Sequence, residues 1–194
     1  VFARKETPAL KDYQEIFSML QEQTGRLSHL AEILLDMTGV QTVERSERIS
    51  LAALTDEVFC DLASVAEQKD VELIQQEGDC IITGSYLLLY RAVYNLVENA
   101  IKYNHSGGKV TVNIHPSEEI TDTSTSVNYV FLEVSDTGIG IPPEYQEKIF
   151  TPFFRVDKSR SRAMGGAGLG LALVSEIVRQ HNGQVKVLES SKKL

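Results

Sequence analysis

The chain of 194 residues holds only two cysteines, Cys60 and Cys80, and neither belongs to a CxxC pair or stands near a histidine cluster. A disulfide framework and a structural zinc site are both excluded on that count, and the thiols read as those of a reducing compartment. No run approaches the roughly 18 consecutive apolar residues of a membrane span. Val1 to Glu6 carries no basic-then-apolar signal pattern. The chain is therefore expected not to be membrane-embedded itself, while its start at Val1 rather than Met reads as a fragment and leaves an upstream membrane segment open. Basic charge is scarce, with 19 Lys+Arg against 27 Asp+Glu and a formal net charge of -8. A phosphate-backbone binder would need a strongly segregated basic face, so nucleic acid is not the expected partner. Glycine (13) and proline (5) are too few for a low-complexity or collagenous chain. What remains is 42% hydrophobic and 24% charged, a globular composition at the size of one large domain or one ordinary domain with a helical appendage.

Periodicity divides the chain. Thr7 before Pro8 is a helix start. From there to about Met37, Tyr13, Leu20, Leu27 and Leu34 recur every seven residues and draw an apolar seam of coiled-coil type. Such a stripe needs a partner helix. Gly39 and the polar run Glu44 to Arg48 mark a linker, with a domain boundary near residue 45. Beyond it the pattern predicts a helix from Ser50 to about Lys69, a hairpin of Val71–Ile74 and Cys80–Thr83, and a helix over Ser85–Tyr103. Strands over 110–115 and 127–134, a helix from Gly168 to His181 and a strand over 184–188 follow. Mixed elements of this kind make a sheet with helices on one face.

Three segments carry chemistry. In NLVENAIKY, Asn95, Asn99 and Lys102 or Tyr103 fall three or four residues apart on one helix face, away from Leu96, Val97 and Ile101. Taken alone this is also what a solvated face looks like. DTGIG, Asp136 to Gly140, sits at a strand end, where glycines admit a flat ligand and a carboxylate can accept from an amino group. By itself it is equally an ordinary turn. GGAGLGLAL runs glycines into a helix start, where free amides and the positive dipole end suit phosphate oxygens. It follows the basic stretch Arg155, Lys158, Arg160, Arg162 rather than a strand, which disfavours a dinucleotide fold and suggests a basic lid over a polyphosphate. The sequon at Asn104, His105 and Ser106 matters only in a secreted protein, and nothing else points to secretion.

In this order and at these intervals NLVENAIKY, DTGIG, FTPFF and GGAGLGLAL resemble the N box, first glycine box, F box and second glycine box of sensor histidine kinases, within the wider family that includes DNA gyrase and MutL. The resemblance covers about residues 50 to 190, and RLSHLAEILLDM resembles the second helix of that family's dimerisation hairpin. It implies an α+β fold, a two-layer α/β sandwich of the Bergerat type preceded by a long coiled-coil-type helix, with residues 1–45 as part of the dimerisation region and 46–194 as the ATP-binding catalytic domain. It implies ATP and Mg²⁺ as cofactors. The implied nucleotide-binding set is Asn95, Asn99, Lys102, Tyr103, Asp136, Gly138, Gly140, Ile141, Phe154, Arg155, Gly166, Gly168, Leu169 and Gly170. Within it Asp136 would accept from the adenine amine, Asn99 and Asn95 would hold Mg²⁺, Tyr103 would flank the base or ribose, and Lys102 and Arg155 would meet phosphate. Asn95, Lys102 and Arg155 would be the catalytic residues. Phe153 and Phe154 are expected as hydrophobic anchors for the lid.

The implied reaction is transfer of the γ-phosphoryl group to a histidine, then to a response regulator, in a homodimer formed through the dimerisation helices. The parent is implied to be a membrane-anchored sensor with this portion in the cytoplasm. Asn95 stands where ATPases of the wider family carry Glu, and an amide cannot act as general base, so slow hydrolysis is expected. A regulatory nucleotide-binding scaffold without kinase activity and an ATPase remain the alternatives. The chain departs from the resemblance in three places. The phosphoacceptor pattern is missing, with Ala3 at its His position and His29 lacking the acidic-Thr-Pro context. Ala167 replaces the usual Ser or Thr of its box, and the end at Leu194 is expected to leave out the closing strand.

Overall fold

Two serines set the frame. Ser50 and Ser85 each adopt extended backbone and accept an amide from the first turn of the helix they precede, α1 (Leu51–Gln68) and α2 (Tyr86–Lys102). The computed structural model describes residues 44–117, 129–156 and 168–188, together with Tyr13, Ile16, Phe17 and Thr24. Those four are helical, and Tyr13, Ile16 and Phe17 are exposed, an apolar face in need of cover. The remainder of the helix expected over residues 7–37, the lid residues Lys158, Arg160 and Arg162, Gly165 to Ala167 and the end after Leu188 lie outside the described residues.

In chain order the elements are β1 (Glu47–Ser50), α1, β2 (Val71–Gln75), β3 (Ile81–Gly84), α2, β4 (Gly108–Pro116), β5 (Val130–Asp136), two 3-10 turns at Pro143–Tyr145 and Lys148–Phe150, and α3 (Gly170–Gln180). β2, β4 and β5 form a three-stranded sheet, parallel between β2 and β4 and antiparallel between β4 and β5. β1 and β3 form a separate antiparallel ribbon.

The expected hairpin is thus corrected. β2 and β3 flank the predicted turn but do not pair, because Asp79 in that turn accepts from Ala52 N (3.0 Å) and Ser50 Oγ (2.9 Å) at the head of α1, which sends β3 to β1. Those donors hold the Asp79 carboxyl below its ordinary range, the Ala52 amide most of all. The strand expected over 184–188 forms no ladder among the described residues. Val185 packs instead against the core between α2 and α3.

Alternation along β4 turns Val110, Val112 and Ile114 inward, beneath Leu54, Val58 and Leu62 of α1 and Leu89, Val93, Val97 and Ile101 of α2. Each of these buried aliphatic side chains contributes about 1.5–3 kcal/mol relative to exposure. A second, smaller core lies on another face of α2, where Leu88 and Ala92 meet Leu169, Leu173, Val174 and Ile177. α2 belongs to both cores, and its remaining rows are left for other work. Tyr86, Tyr90 and Tyr94 line the edge of the larger core, the first pair stacked and the second tilted, at 6.4 and 6.1 Å between rings, and the first two phenols donate to Glu57 and Asp61 of α1. The bond to Glu57 pushes the Tyr86 phenol up to about 12.

Candidate functional site

The row of α2 that faces neither core carries Asn95, Asn99 and Lys102, all half-buried. Asn95 Nδ2 donates to its own helix at Arg91 O (2.8 Å), a bond that only the amide nitrogen can make, so Oδ1 is the outward atom. It points at the first residue of α3. A Cβ on Gly170 would collide with Asn95 Oδ1 and lie 3.8 Å from Asn99 Nδ2. Both carboxamides therefore converge on the amide end of α3, whose positive dipole end faces them. Gly170 is the residue that permits the approach.

At the far end of α2, Tyr103 is the C-cap. Lys69 Nζ donates to the carbonyls of Ile101 (3.0 Å) and Lys102, completing that terminus with a cation, as the helix dipole favours. Burial lowers the Lys69 amine from its ordinary value. Lys102 Nζ stands 5.7 Å from the centroid of the Tyr103 ring. Burial raises the Tyr103 phenol, and the charge of Arg155, the residue after FTPFF, opposes that rise.

Asp136 closes β5 and is exposed, with Oδ1 accepting Gly138 N (2.8 Å). Gly138 is buried, and a Cβ there would collide with the Tyr103 carbonyl and come within 2.8 Å of Asp136 Oδ1. Ile139 N then donates to that same carbonyl (3.2 Å). The Asp136 turn is thereby fastened to the end of α2. Gly140 takes a φ of 69°, and the Ile141 carbonyl accepts from Gln146 Nε2 (3.2 Å).

The third part follows the 3-10 turns. Phe153 holds a φ of 63°, rare for an aromatic residue, and its amide donates to Gly168 O (2.8 Å). Phe154 packs on Tyr145 at 5.7 Å between rings, as expected of an anchor. Phe153 is instead 63% exposed, so only one of the two phenylalanines anchors. A Cβ on Gly168 would lie 2.7 Å from Phe154 O and 3.2 Å from Arg155 Cγ. Leu169 is buried in the second core. Arg155 Nη2 is buried with no hydrogen-bond partner among the described residues, an arrangement whose cost an anionic ligand would relieve.

Of the residues expected from sequence, Asn95, Asn99, Gly168 and Gly170 are gathered at the head of α3. Lys102, Tyr103, Asp136 and Gly138 are gathered at the tail of α2, and Arg155 lies between. Gly166 is outside the described residues. Sequence reasoning missed Asn104 and Thr137, which lie behind the Asp136 turn. Asn104 is 7% exposed and both ends of its carboxamide are engaged, so it is a structural residue and not a free sequon acceptor. Its signal was a polar residue placed between an apolar helix and a Gly-Gly turn.

The sequence pattern of the family described as histidine kinase-, DNA gyrase B-, and HSP90-like ATPase matches residues 84–193. Sensor histidine kinase RppB of Synechocystis sp. is 36% identical over 182 residues, covering 89% of this chain and 38% of that protein. WalK of Bacillus subtilis, also named a sensor histidine kinase, is 32% identical over 181 residues, covering 90% of this chain and 28% of that protein. The chain thus spans less than two fifths of the length of these relatives. Among solved structures, the mycobacterial sensor histidine kinase MprB aligns with a TM-score of 0.56 at 28% identity, covering 71% of this chain and 80% of that one. Full-length ShkA in complex with AMPPNP shares the fold at a TM-score of 0.72 and 22% identity, covering 97% of this chain and 38% of that one.

Proposed function

Because this chain belongs to the histidine kinase-, DNA gyrase B-, and HSP90-like ATPase family, we propose that its ATP-binding domain takes Mg·ATP along α2, with the base at Asp136 and the phosphates at the head of α3. The whole protein would then pass the γ-phosphoryl group to a histidine. The observation that carries this reading is the contact of Asn95 Oδ1 with Gly170, which aims two neutral carboxamides at a helix amide end.

Each residue has a physical task. Asp136 spends Oδ1 on the Gly138 amide and keeps Oδ2 to accept from the 6-amino group of adenine. Tyr103 flanks the base or ribose, with Gly138, Gly140 and Ile141 forming the turn beside it. Arg155 brings an unpaired guanidinium donor to the terminal phosphates, with Lys102 contributing a second cation. The amides around Gly166, Gly168, Leu169 and Gly170 would receive phosphate oxygens, and Phe154 anchors the loop that leads to them. Mg²⁺ fits the donor set at Asn99 and Asn95. Among the described residues no three His, Cys, Asp or Glu gather as a metal site, so the triphosphate would supply the charged ligands. When bound, the ion neutralises charge on the phosphates.

Asn95 decides the acceptor. An amide cannot take a proton from water, and Glu98 lies one position off the Asn95 and Asn99 row of the helix. A γ-phosphoryl group held here is left for a better nucleophile. An imidazole nitrogen attacks phosphorus, the bond to the β-γ bridging oxygen breaks, and ADP leaves with that electron pair. In the whole protein the histidine would be carried on the helix that pairs with residues 1–45, in a homodimer, with a response regulator receiving the group next. A membrane-anchored parent with this portion in the cytoplasm completes the proposal. Among the described residues no helix is long and apolar enough to cross a membrane.

Calorimetric titration with a non-hydrolysable ATP analogue, with and without Mg²⁺, tests the site. Mg²⁺-dependent binding that Asp136→Asn abolishes is the expected result, and no binding by the unmodified chain would refute it. Transfer from labelled ATP to a supplied histidine-bearing dimerisation helix tests the reaction, and steady phosphate release without an acceptor would favour an ATPase instead.

A further inference from the structure

We propose that Asn104 and Thr137 form a clasp that positions the Asp136 carboxylate for the base, which makes Asn104 a positioning residue for adenine selectivity. This rests on the nucleotide reading above. Asn104 Nδ2 donates to Lys109 O (2.9 Å), while its Oδ1 accepts from His105 N and from Thr137 Oγ1, both at 3.1 Å. Thr137 completes a ring, since its Oγ1 accepts Lys109 N (2.9 Å) and its own amide donates to Lys109 O (3.1 Å). One buried carboxamide thus ties together the end of α2, the start of β4 and the residue that follows Asp136.

The surrounding backbone makes room for it. A Cβ on Gly108 would collide with Asn104 Oδ1, so the turn before β4 is shaped around this side chain. The Thr137 hydroxyl gives its one proton to Asn104 and accepts the Lys109 amide, so it has no donor left to offer a ligand, and the Asp136 carboxylate is the stronger acceptor in the turn for an amino group. The carboxylate is itself exposed, and its Oδ1 accepts the Gly138 amide. Its direction is therefore set by the backbone on either side, fixed at Thr137 by the clasp and at Ile139 by the Tyr103 carbonyl. Without Asn104 the Thr137 side of that frame keeps its two bonds to Lys109 but loses its tie to the end of α2, while the phosphate half of the site, at the head of α3, is untouched.

The test uses two nucleotide probes on this chain, a non-hydrolysable ATP analogue and its counterpart whose purine lacks the 6-amino group. Asn104→Ala and Thr137→Val are expected to weaken the adenine probe about tenfold, the scale of one hydrogen bond to a charged group. The amine-free probe should move by less than about twofold, since the phosphate contacts remain. Thr137→Ser, which keeps the hydroxyl, should retain the preference. Equal weakening of both probes, or no weakening of either, would overturn the clasp. Should Asn104→Ala fail to fold, the pair Thr137→Val and Thr137→Ser decides alone. An Asp136→Asn variant that keeps full preference for the adenine probe would instead sink the site reading itself, and the clasp with it.

Discussion

Gly170→Ala separates a contact needed for ligand binding from one needed for folding. The new methyl would occupy the place of Asn95 Oδ1, so the carboxamide must swing away from the head of α3 and give up its bond to Arg91 O. Losing that half-buried hydrogen bond costs about 0.5–1.5 kcal/mol. Against it stands the helix preference for Ala over Gly, worth up to about 1 kcal/mol in a helix interior and less at a first position. The two effects nearly cancel, so stability should change by less than about 1.5 kcal/mol, a shift of at most about 6 °C in Tm at 2–4 °C per kcal/mol. Binding has no such compensation. A displaced Asn95 forfeits an interaction with a charged ligand on the order of 1.5–3 kcal/mol, which is about 10- to 100-fold in Kd. Thermal unfolding and calorimetric titration of the same preparation read both quantities. Unchanged affinity for the ATP analogue, or weakened binding matched by a collapse in Tm, would refute the argument.

Gly138→Ala should behave differently, since the added methyl meets the Tyr103 backbone carbonyl rather than a side-chain tip. A loss of about 1–3 kcal/mol in chemical unfolding is expected together with loss of nucleotide binding. His181 accepts Ser85 N at Nε2 (3.1 Å) and donates from Nδ1 to Ile177 O (2.8 Å), so His181→Ala orphans the amide of a buried helix cap. It should cost about 1–3 kcal/mol in urea denaturation. Arg179 and Gln180 donate to Glu176 and hold its carboxyl down at about 2, against an ordinary 4.5. A carboxyl depressed on folding stabilises above pH 4.5 and loses that contribution as pH falls toward 2. Because Arg179 is exposed, Glu176→Gln should remove only about 0.2–1 kcal/mol at pH 6, and the difference should shrink as pH falls to 2 in parallel unfolding curves.

The helices were legible because their signals are local. Ser50 and Ser85, where the predicted helical spans begin, are the observed N-caps, and the predicted span of α2 ends at the observed C-cap, Tyr103. The strands were legible as strands but not as pairs, since β2 finds its partner across α2 and no residue within either strand encodes that distance. β1 went unread because four residues, half of them charged, carry no alternation to detect. In the candidate site, the boxes named residues that the fold gathers at the head of α3 and the tail of α2. They did not reveal that Oδ1 rather than Nδ2 of Asn95 faces outward, which depends on the carbonyl of Arg91, nor the support behind Asp136, which joins the neighbouring Asn104 and Lys109 to Thr137, 28 residues beyond Lys109.

α2 is shared by two cores of unequal size, and that asymmetry has a dynamic meaning. The larger core holds α1 and the sheet to one side of the helix, while the smaller holds α3 to the other. Cooperative opening follows buried contact, so the α3 layer is the first unit free to part from the rest by sub-global unfolding, with the sheet layer intact. Amide hydrogens of α3 would exchange through that opening sooner than those of β4. A ligand bridging Asn99 and the head of α3, as proposed above, would fasten the weaker layer to the stronger one, so its occupancy and the lifetime of the α3 layer would become a single coupled quantity.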